Sequence, residues 1–355
     1  MPEQTKAKST KKRILLAAVK IGIAAVLLYL LLRGMKWDSF RAAFRGIRWW
    51  WFVPAVALHF PGYVISAWRW RILLRAQGQH IPFWKLFESY LVATFFNYTL
   101  LGTLGGDFVR MGDTGLGKKR GAQAVSAVLV ERVTGLATMI LLAGLGMVLL
   151  AVWRGDADEG ASTTMHLLVW GAVALFLFFC AALYLLTHPR VVEWLAGLLD
   201  RPWPLFGTAR RSLLKLHEAL MVFRGNRRPV YVNLAWALLL QVNVAAHYYC
   251  LGLAMGAAAL GAAPLRHVFS YMVLVPIVTL ILMIPVTPGG AGIREWTLSR
   301  PVVRSGLGFP ATAAGAAQAV LLGWLQVASV LIYGAVGFVL FLGRSFRLKR
   351  DGSAH

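Results

Sequence analysis

Asp107 and Arg110 stand three residues apart, directly after Gly105-Gly106 and shortly after Asn97. The stretch Asn97-Tyr-Thr-Leu-Leu-Gly-Thr-Leu-Gly-Gly-Asp-Phe-Val-Arg110 thus gathers an amide, glycines, a carboxylate and a guanidinium. Glycines let backbone N–H groups approach a ligand, and a helix starting beyond them favours an anion. Arg110 can hold a phosphate with two donors, or pair with Asp107 on one helical face as a salt bridge capping a span.

Glu131-Arg132 lies about ten residues into the apolar run that starts near Gly121. That is roughly 15 Å at 1.5 Å per residue, near the middle of a bilayer. Ionisable groups there are costly and face a cavity or a partner; a pair that only pins its span to its neighbours is the other reading. The third group is Ile284-Pro-Val-Thr-Pro-Gly-Gly-Ala-Gly-Ile-Arg-Glu295. Pro285 and Pro288 break the backbone, Gly289, Gly290 and Gly292 loosen it, and Arg294 and Glu295 follow at once. Glu295 also suits a cap on the next helix. Arg110, Arg132 and Arg294 would draw a lipid phosphate, while Asp107, Glu131 and Glu295 would hold those arginines in the membrane or accept protons. Together with Asn97 and the named glycines and prolines they form the expected substrate-binding set, which contains no catalytic and no metal-binding residue.

The elements that must position these groups are membrane elements. The chain has 355 residues, 58% hydrophobic and 14% charged, with 14 Trp and a mean hydropathy of +0.64. This excludes an ordinary soluble domain and points to an all-α polytopic membrane protein. The 37 Lys and Arg against 14 Asp and Glu give a net charge of +23, carried mostly between apolar runs, as basic loops held against anionic lipid are. No segment free of apolar runs is long enough for a soluble basic module, so no nucleic-acid partner is expected. Cys180 and Cys250 lie inside apolar runs and read as small buried hydrophobes. The run Gly112-Asp-Thr-Gly-Leu-Gly-Lys-Lys119 fails as a phosphate loop because Lys119 stands where Ser or Thr is required and no strand precedes it. Neither a zinc-binding His pattern nor a Gly-x-Ser-x-Gly elbow occurs, so no cofactor and no enzymatic activity are expected.

A span needs roughly 20 apolar residues, and six runs qualify: Ile14–Leu32, Trp50–Trp68, Gln123–Val152, His166–Thr187, Val230–Met255 and Thr312–Leu342. The first follows a basic N-terminus but precedes no small-residue cleavage site, so it is expected to be retained. Leu86–Leu104 and Val268–Val286 differ: each follows a proline-led segment and ends in glycines and charge. The loop from Arg154 to Met165 carries Asp156, Asp158 and Glu159, whereas His188 to Pro229 is rich in Arg, which places the first outside and the second inside. Making Leu86–Leu104 a re-entrant hairpin from the cytoplasm, and Val268–Val286 one from the outside, puts both termini in the cytoplasm. The basic stretch Trp37–Arg48 would then face outward and is expected to lie along the interface as an amphipathic helix.

The two odd stretches also read as copies of one unit. Pro82-Phe-Trp-Lys-Leu-Phe-Glu-Ser-Tyr90 parallels Pro264-Leu-Arg-His-Val-Phe-Ser-Tyr271, and Ala122-Gln-Ala-Val125 parallels Ala317-Gln-Ala-Val320. A single domain over residues 1–355 is expected, with repeat halves 49–152 and 230–342 of opposite orientation and a cytoplasmic basic linker 188–229. Inverted repeats with broken helices form transporter sites between the repeats, and irregular backbone at membrane depth must be buried in protein or line a wet cavity.

Asn97 through Gly105-Gly106-Asp107-x-x-Arg110, then Leu129-Val-Glu-Arg-Val-Thr-Gly-Leu136, then Ile284 through Glu295, resemble the three signature blocks of the lysylphosphatidylglycerol synthase transmembrane-region family. The resemblance spans most of the chain. It departs at Tyr98 and Leu101, where the family commonly has Asn and Pro, which puts the bend of the first hairpin or the head group in question. The family's best-known member adds a soluble domain that aminoacylates phosphatidylglycerol, and here the chain ends soon after Leu342. The resemblance therefore implies a bacterial inner-membrane protein that translocates lipid without aminoacylating it. Aminoacylated phospholipid, a polyprenyl-linked sugar, a hopanoid or plain anionic phospholipid would each fit as the partner, and a homo-oligomer is compatible with the sequence. An enzyme acting on a lipid or isoprenoid carrier, with Asp107 and Glu131 as its carboxylates, and a non-transporting scaffold are the competing classes.

Overall fold

The computed structural model describes residues 37–99, 103–115, 120–154, 184–199, 204–255, 264–282, 292–299 and 312–352, with single positions or pairs at 170, 173–174, 177–178, 180–181, 290 and 309. The described residues form helices and no strand. The chain is an all-α membrane protein: four helical stretches, Gly121–Leu150, Arg228–Ala254, Leu265–Leu282 and Ala313–Arg344, are long and apolar enough to cross a bilayer.

Helix α1 (Trp37–Arg45) forms where an amphipathic helix is expected; it buries Phe40, whose ring meets Trp324 edge-on at 5.1 Å. The expected span Trp50–Trp68 differs in the structure. It is divided at Leu58 into α2 (Trp49–Ala57) and α3 (His59–Ala76). Pro61 explains the division, because it has no N–H to give the Ala57 carbonyl and its ring crowds that oxygen. Helix α3 also runs beyond Trp68 and buries Arg69 at 3% exposure.

Helices α4 (Phe83–Thr99) and α5 (Thr103–Thr114) replace the first odd stretch. They pack against each other as an antiparallel pair, with Tyr90 bonded to Arg110 and Asn97 to Gly106. A Cβ built on Gly106 would come within 2.7 Å of the Ala93 carbonyl oxygen, so only glycine permits this approach. Helix α6 (Gly121–Arg154) follows. Beyond it come α7 (Pro189–Leu198), α8 (Pro204–Gly225) and α9 (Arg228–Ala254). Helix α10 (Pro264–Leu282) stands at the second odd stretch, and the five-residue α11 (Ile293–Thr297) and the long α12 (Ala313–Gly352) complete the fold. The expected spans 123–152, 230–255 and 312–342 thus fall on α6, α9 and α12. Ile14–Leu32 and most of His166–Thr187 lie outside the described residues.

Two contacts tie residues 83–154 to residues 264–352. Helix α4 lies along α12, and α10 lies along α6. Both contacts are made at glycine: a Cβ on Gly337 would overlap the Leu91 carbonyl, and one on Gly146 would come within 2.9 Å of the Met272 Cβ. Arg344 clips the open end of the α4–α5 pair to α12, with Glu88 at 3.0 Å and Asp113 at 2.9 Å.

One apolar cluster centres on α9, α10 and α12 through Leu251, Leu274, Val278, Leu321 and Leu322. A second joins α3, α4 and α6 through Trp70, Leu74, Leu86 and Ala127. Outside these clusters, Leu141, Leu145, Val148 and Val152 form an exposed stripe along one face of α6, and Leu331, Ile332, Val336 and Val339 form another on α12. Stripes of that kind suit lipid tails, not water.

Candidate functional site

The chemistry-bearing residues fall into two groups. The first is an ion network where α5, α6 and α4 meet. Arg110 donates to Glu131 at 3.0 Å and pairs with Asp107 one helical turn away. Arg132 donates through Nε to the second Asp107 oxygen at 3.0 Å, with an Nη2 bond beside it. Tyr90 on α4 donates to the Glu131 Oε1 at 2.6 Å and accepts from Arg110. The Arg110 guanidinium also lies over the Tyr90 ring at 4.3 Å and the Trp70 ring at 5.1 Å. Two arginines and two carboxylates balance formally. Asp107 and Arg110 are 8% and 7% exposed, and burial at that level is tolerated because each charge is hydrogen-bonded to its opposite.

Arg69 lies beside this network. Its Nη2 reaches the Glu131 carbonyl at 3.2 Å, and Thr134 and Asn233 side chains at 3.3 Å. Asn233 donates back to the Arg69 carbonyl at 3.0 Å. This ties α3, α6 and α9 together at one level.

The second group surrounds a cavity of 370 Å³ lined by α3, α4, α9, α10 and α12, within the size range of small-molecule sites. Asn97 and Tyr98 reach it from the end of α4, and Leu282 and Gly290 from the far end of α10 and the approach to α11. Arg294 lines it as well, at 3% exposure. The C-terminal ends of α4 and α10 therefore meet at one cavity. Gly290 adopts φ +73° and Gly292 φ +81°, the left-handed region that non-glycine residues avoid. Gly292 donates its N–H to Glu295 Oε2 at 2.7 Å, so Glu295 caps the start of α11. A Cβ on Gly323 would sit 3.5 Å from the Arg294 Cδ, which shows that the arginine stem crosses α12 at that glycine.

Of the expected set, Asn97, Gly290 and Arg294 line the cavity. Gly105, Gly106, Asp107, Arg110, Glu131 and Arg132 belong to the hairpin and its ion network instead, and Glu295 and Gly292 to the cap. Pro285, Pro288 and Gly289 lie outside the described residues. Among the described residues no group of three or more His, Cys, Asp or Glu is placed to hold a metal ion.

Sequence reading missed His59, His247, Asn243 and Gln326, which also line the cavity. His59 and His247 stack obliquely, ring centroids 4.3 Å apart. The His59 Nε2 lies 3.0 Å from the Ser329 hydroxyl, and the His247 Nδ1 2.8 Å from the Ala55 carbonyl. The signal available was the presence of polar side chains inside runs otherwise fit for lipid.

Compared with family models, residues 17–337 match the lysylphosphatidylglycerol synthase TM region. No curated protein and no solved structure matches the chain.

Proposed function

The chain belongs to the lysylphosphatidylglycerol synthase TM region family, and we propose that it moves an anionic lipid between leaflets of the bacterial inner membrane without altering it chemically. The observation that carries this reading is the cavity shared by Asn97, Leu282, Gly290 and Arg294. Gln326 shares it too and lies near the middle of the apolar stretch Ala313–Arg344, as Asn243 does in Arg228–Ala254. A buried arginine at that depth, beside glycine backbone, suits a phosphate that must leave water for a moment.

In this reading α4–α5 is a hairpin entering from the cytoplasm, and the segment from α10 to α11 is its counterpart from outside. The two halves, 49–152 and 230–342, are then inverted copies within the single domain 1–355. The reciprocal packing of α4 on α12 and α10 on α6 supports it. So does the position of the contacts: Leu91 follows the matched Tyr90 and Met272 follows the matched Tyr271, and each meets a glycine of the other half's long helix. Both termini and the linker 188–229 face the cytoplasm, where their arginines meet anionic lipid. Arg294 and Asn97 touch the head group; Asp107, Arg110, Glu131 and Arg132 hold the first hairpin in place.

The test is leaflet exchange of phosphatidylglycerol in proteoliposomes, against phosphatidylethanolamine as the lipid without net charge. Faster exchange of phosphatidylglycerol with protein present supports the reading. Exchange of both lipids at the protein-free rate refutes it.

A further inference from the structure

A second hollow, of 210 Å³, shares no lining residue with the cavity at Arg294. Its walls are Val130 and Val133 of α6, Leu220 and Phe223 of α8, and Val230 of α9. Thr134, 4% exposed, forms its inner end, where it is bonded to Asn233 at 2.7 Å and accepts from Arg69 at 3.3 Å. Tyr184, 66% exposed, stands at its mouth. The stretch of α9 apolar enough to cross a bilayer begins at Arg228. Asn233 comes five residues later, about 8 Å along the helix at 1.5 Å per residue. The hollow thus runs from the membrane boundary to a shallow depth, and an exposed tyrosine ring at its mouth suits the head-group level.

The mouth is basic. Arg224 lines it and donates to the Thr187 carbonyl at 3.0 Å. That neutral acceptor holds the guanidinium in place without cancelling its charge. His217 meets the Leu186 carbonyl at 2.7 Å in the same way, so both side chains cap the helical turn 184–187 whatever else they bind. Arg227 and Arg228 stand between Arg224 and Val230 in the chain, and both are exposed. No salt bridge among the described residues includes any of these three arginines. No Asp or Glu lines the hollow among the described residues either.

An apolar trough that opens beneath three arginines at the membrane boundary matches an alkyl chain below and an anion above. Its volume is less than that of sites enclosing a whole small molecule, so it suits part of one chain while the phosphate stays outside. We infer that this hollow binds a resident anionic phospholipid, with an acyl chain between α6, α8 and α9 and the phosphate on Arg224, Arg227 and Arg228. The lipid fastens α8, and with it the basic linker, to the spans. This inference does not rest on the translocation reading above.

The experiment uses the purified full chain in detergent and a phosphatidylglycerol that carries a photoreactive diazirine near the end of one acyl chain. Crosslinking and peptide mass spectrometry are expected to find the label on the peptides that contain Val133 and Phe223. Unlabelled phosphatidylglycerol should displace it at a concentration at least tenfold lower than phosphatidylethanolamine requires, and inorganic phosphate should not displace it. Arg227→Gln combined with Arg228→Gln leaves the Arg224 contact to Thr187 in place. It should raise the lipid concentration for half-maximal labelling at least tenfold, whereas Arg294→Gln should leave that concentration unchanged. Equal displacement by phosphatidylethanolamine, or unchanged labelling in the folded double variant, overturns the inference. Displacement by inorganic phosphate as readily as by phosphatidylglycerol assigns the arginines to a soluble anion and overturns the lipid. Label confined to peptides lining the cavity at Arg294 places the lipid there and overturns the hollow. None of these outcomes reads leaflet exchange, so the hollow can fail while the translocation reading stands, and the reverse.

Discussion

Arg110 and Glu131 meet at 3.0 Å across the contact of α5 and α6, with Tyr90 from α4 bonded to both. The pair locks three helices at one point, and its charges are answered within the protein. Arg294 lies on the wall of the cavity lined by α3, α4, α9, α10 and α12. The two arginines that look alike in sequence thus stand in different surroundings: one lies in an ion network that ties α4, α5 and α6, the other lines a cavity.

Removing one member of the network leaves an uncompensated buried charge. Arg110→Met is expected to lower stability by about 3–5 kcal/mol, and adding Glu131→Gln should recover part of that loss, because the orphaned carboxylate is then neutral. Thermal unfolding in detergent checks both. Equal stability of Arg110→Met and the parent protein would remove the positioning role.

Close backbone approach at Gly337 sets a sharper condition. Gly337→Ala places a methyl group against the Leu91 carbonyl, so α4 and α12 must separate. Gly144→Ala, where a Cβ meets nothing within 4 Å, is expected to be neutral or stabilising by up to about 1 kcal/mol. The contrast is read from the fraction of monodisperse protein after heating, and similar losses in the two variants would contradict the packing.

Asn97 serves both hairpin and cavity, since its Oδ1 accepts from Gly106 at 2.7 Å and the residue lines the cavity. Asn97→Asp keeps the acceptor, so the protein should stay folded, yet it brings a negative charge to the cavity proposed to take the anionic head group and should slow phosphatidylglycerol exchange at least tenfold. Asn97→Leu should lose stability as well. Exchange at the parental rate in folded Asn97→Asp would separate Asn97 from the substrate path.

Arg344 offers the opposite case. Its partners Glu88 and Asp113 have side chains 43% and 38% exposed, so water and salt screen both pairs. Arg344→Gln is expected to cost no more than about 1 kcal/mol, less at high salt, with exchange unchanged. Melting curves at low and high salt check it.

Much of this was legible in the sequence because it is local. The glycines before Asp107, and the place of Glu131 and Arg132 inside a long apolar helix, follow from backbone chemistry and residue spacing. The division at Leu58 was hidden because Pro61 lies inside a run apolar enough to read as one span. The partners of the charges were hidden for another reason. Tyr90 and Glu131 are 41 positions apart, and Ala55 and His247 are 192 apart. Only packing brings them together, and apolar periodicity says nothing about which polar side chains will meet. His59 and His247 carried no spacing signal.

The most direct measurement of the central claim is the rate of phosphatidylglycerol exchange in proteoliposomes for Arg294→Gln beside the parent protein and Arg344→Gln, at matched amounts of folded protein. Exchange that falls at least tenfold in Arg294→Gln, and stays at the parental rate in Arg344→Gln, is what a head-group cavity at Arg294 predicts. Parental exchange in folded Arg294→Gln would contradict it.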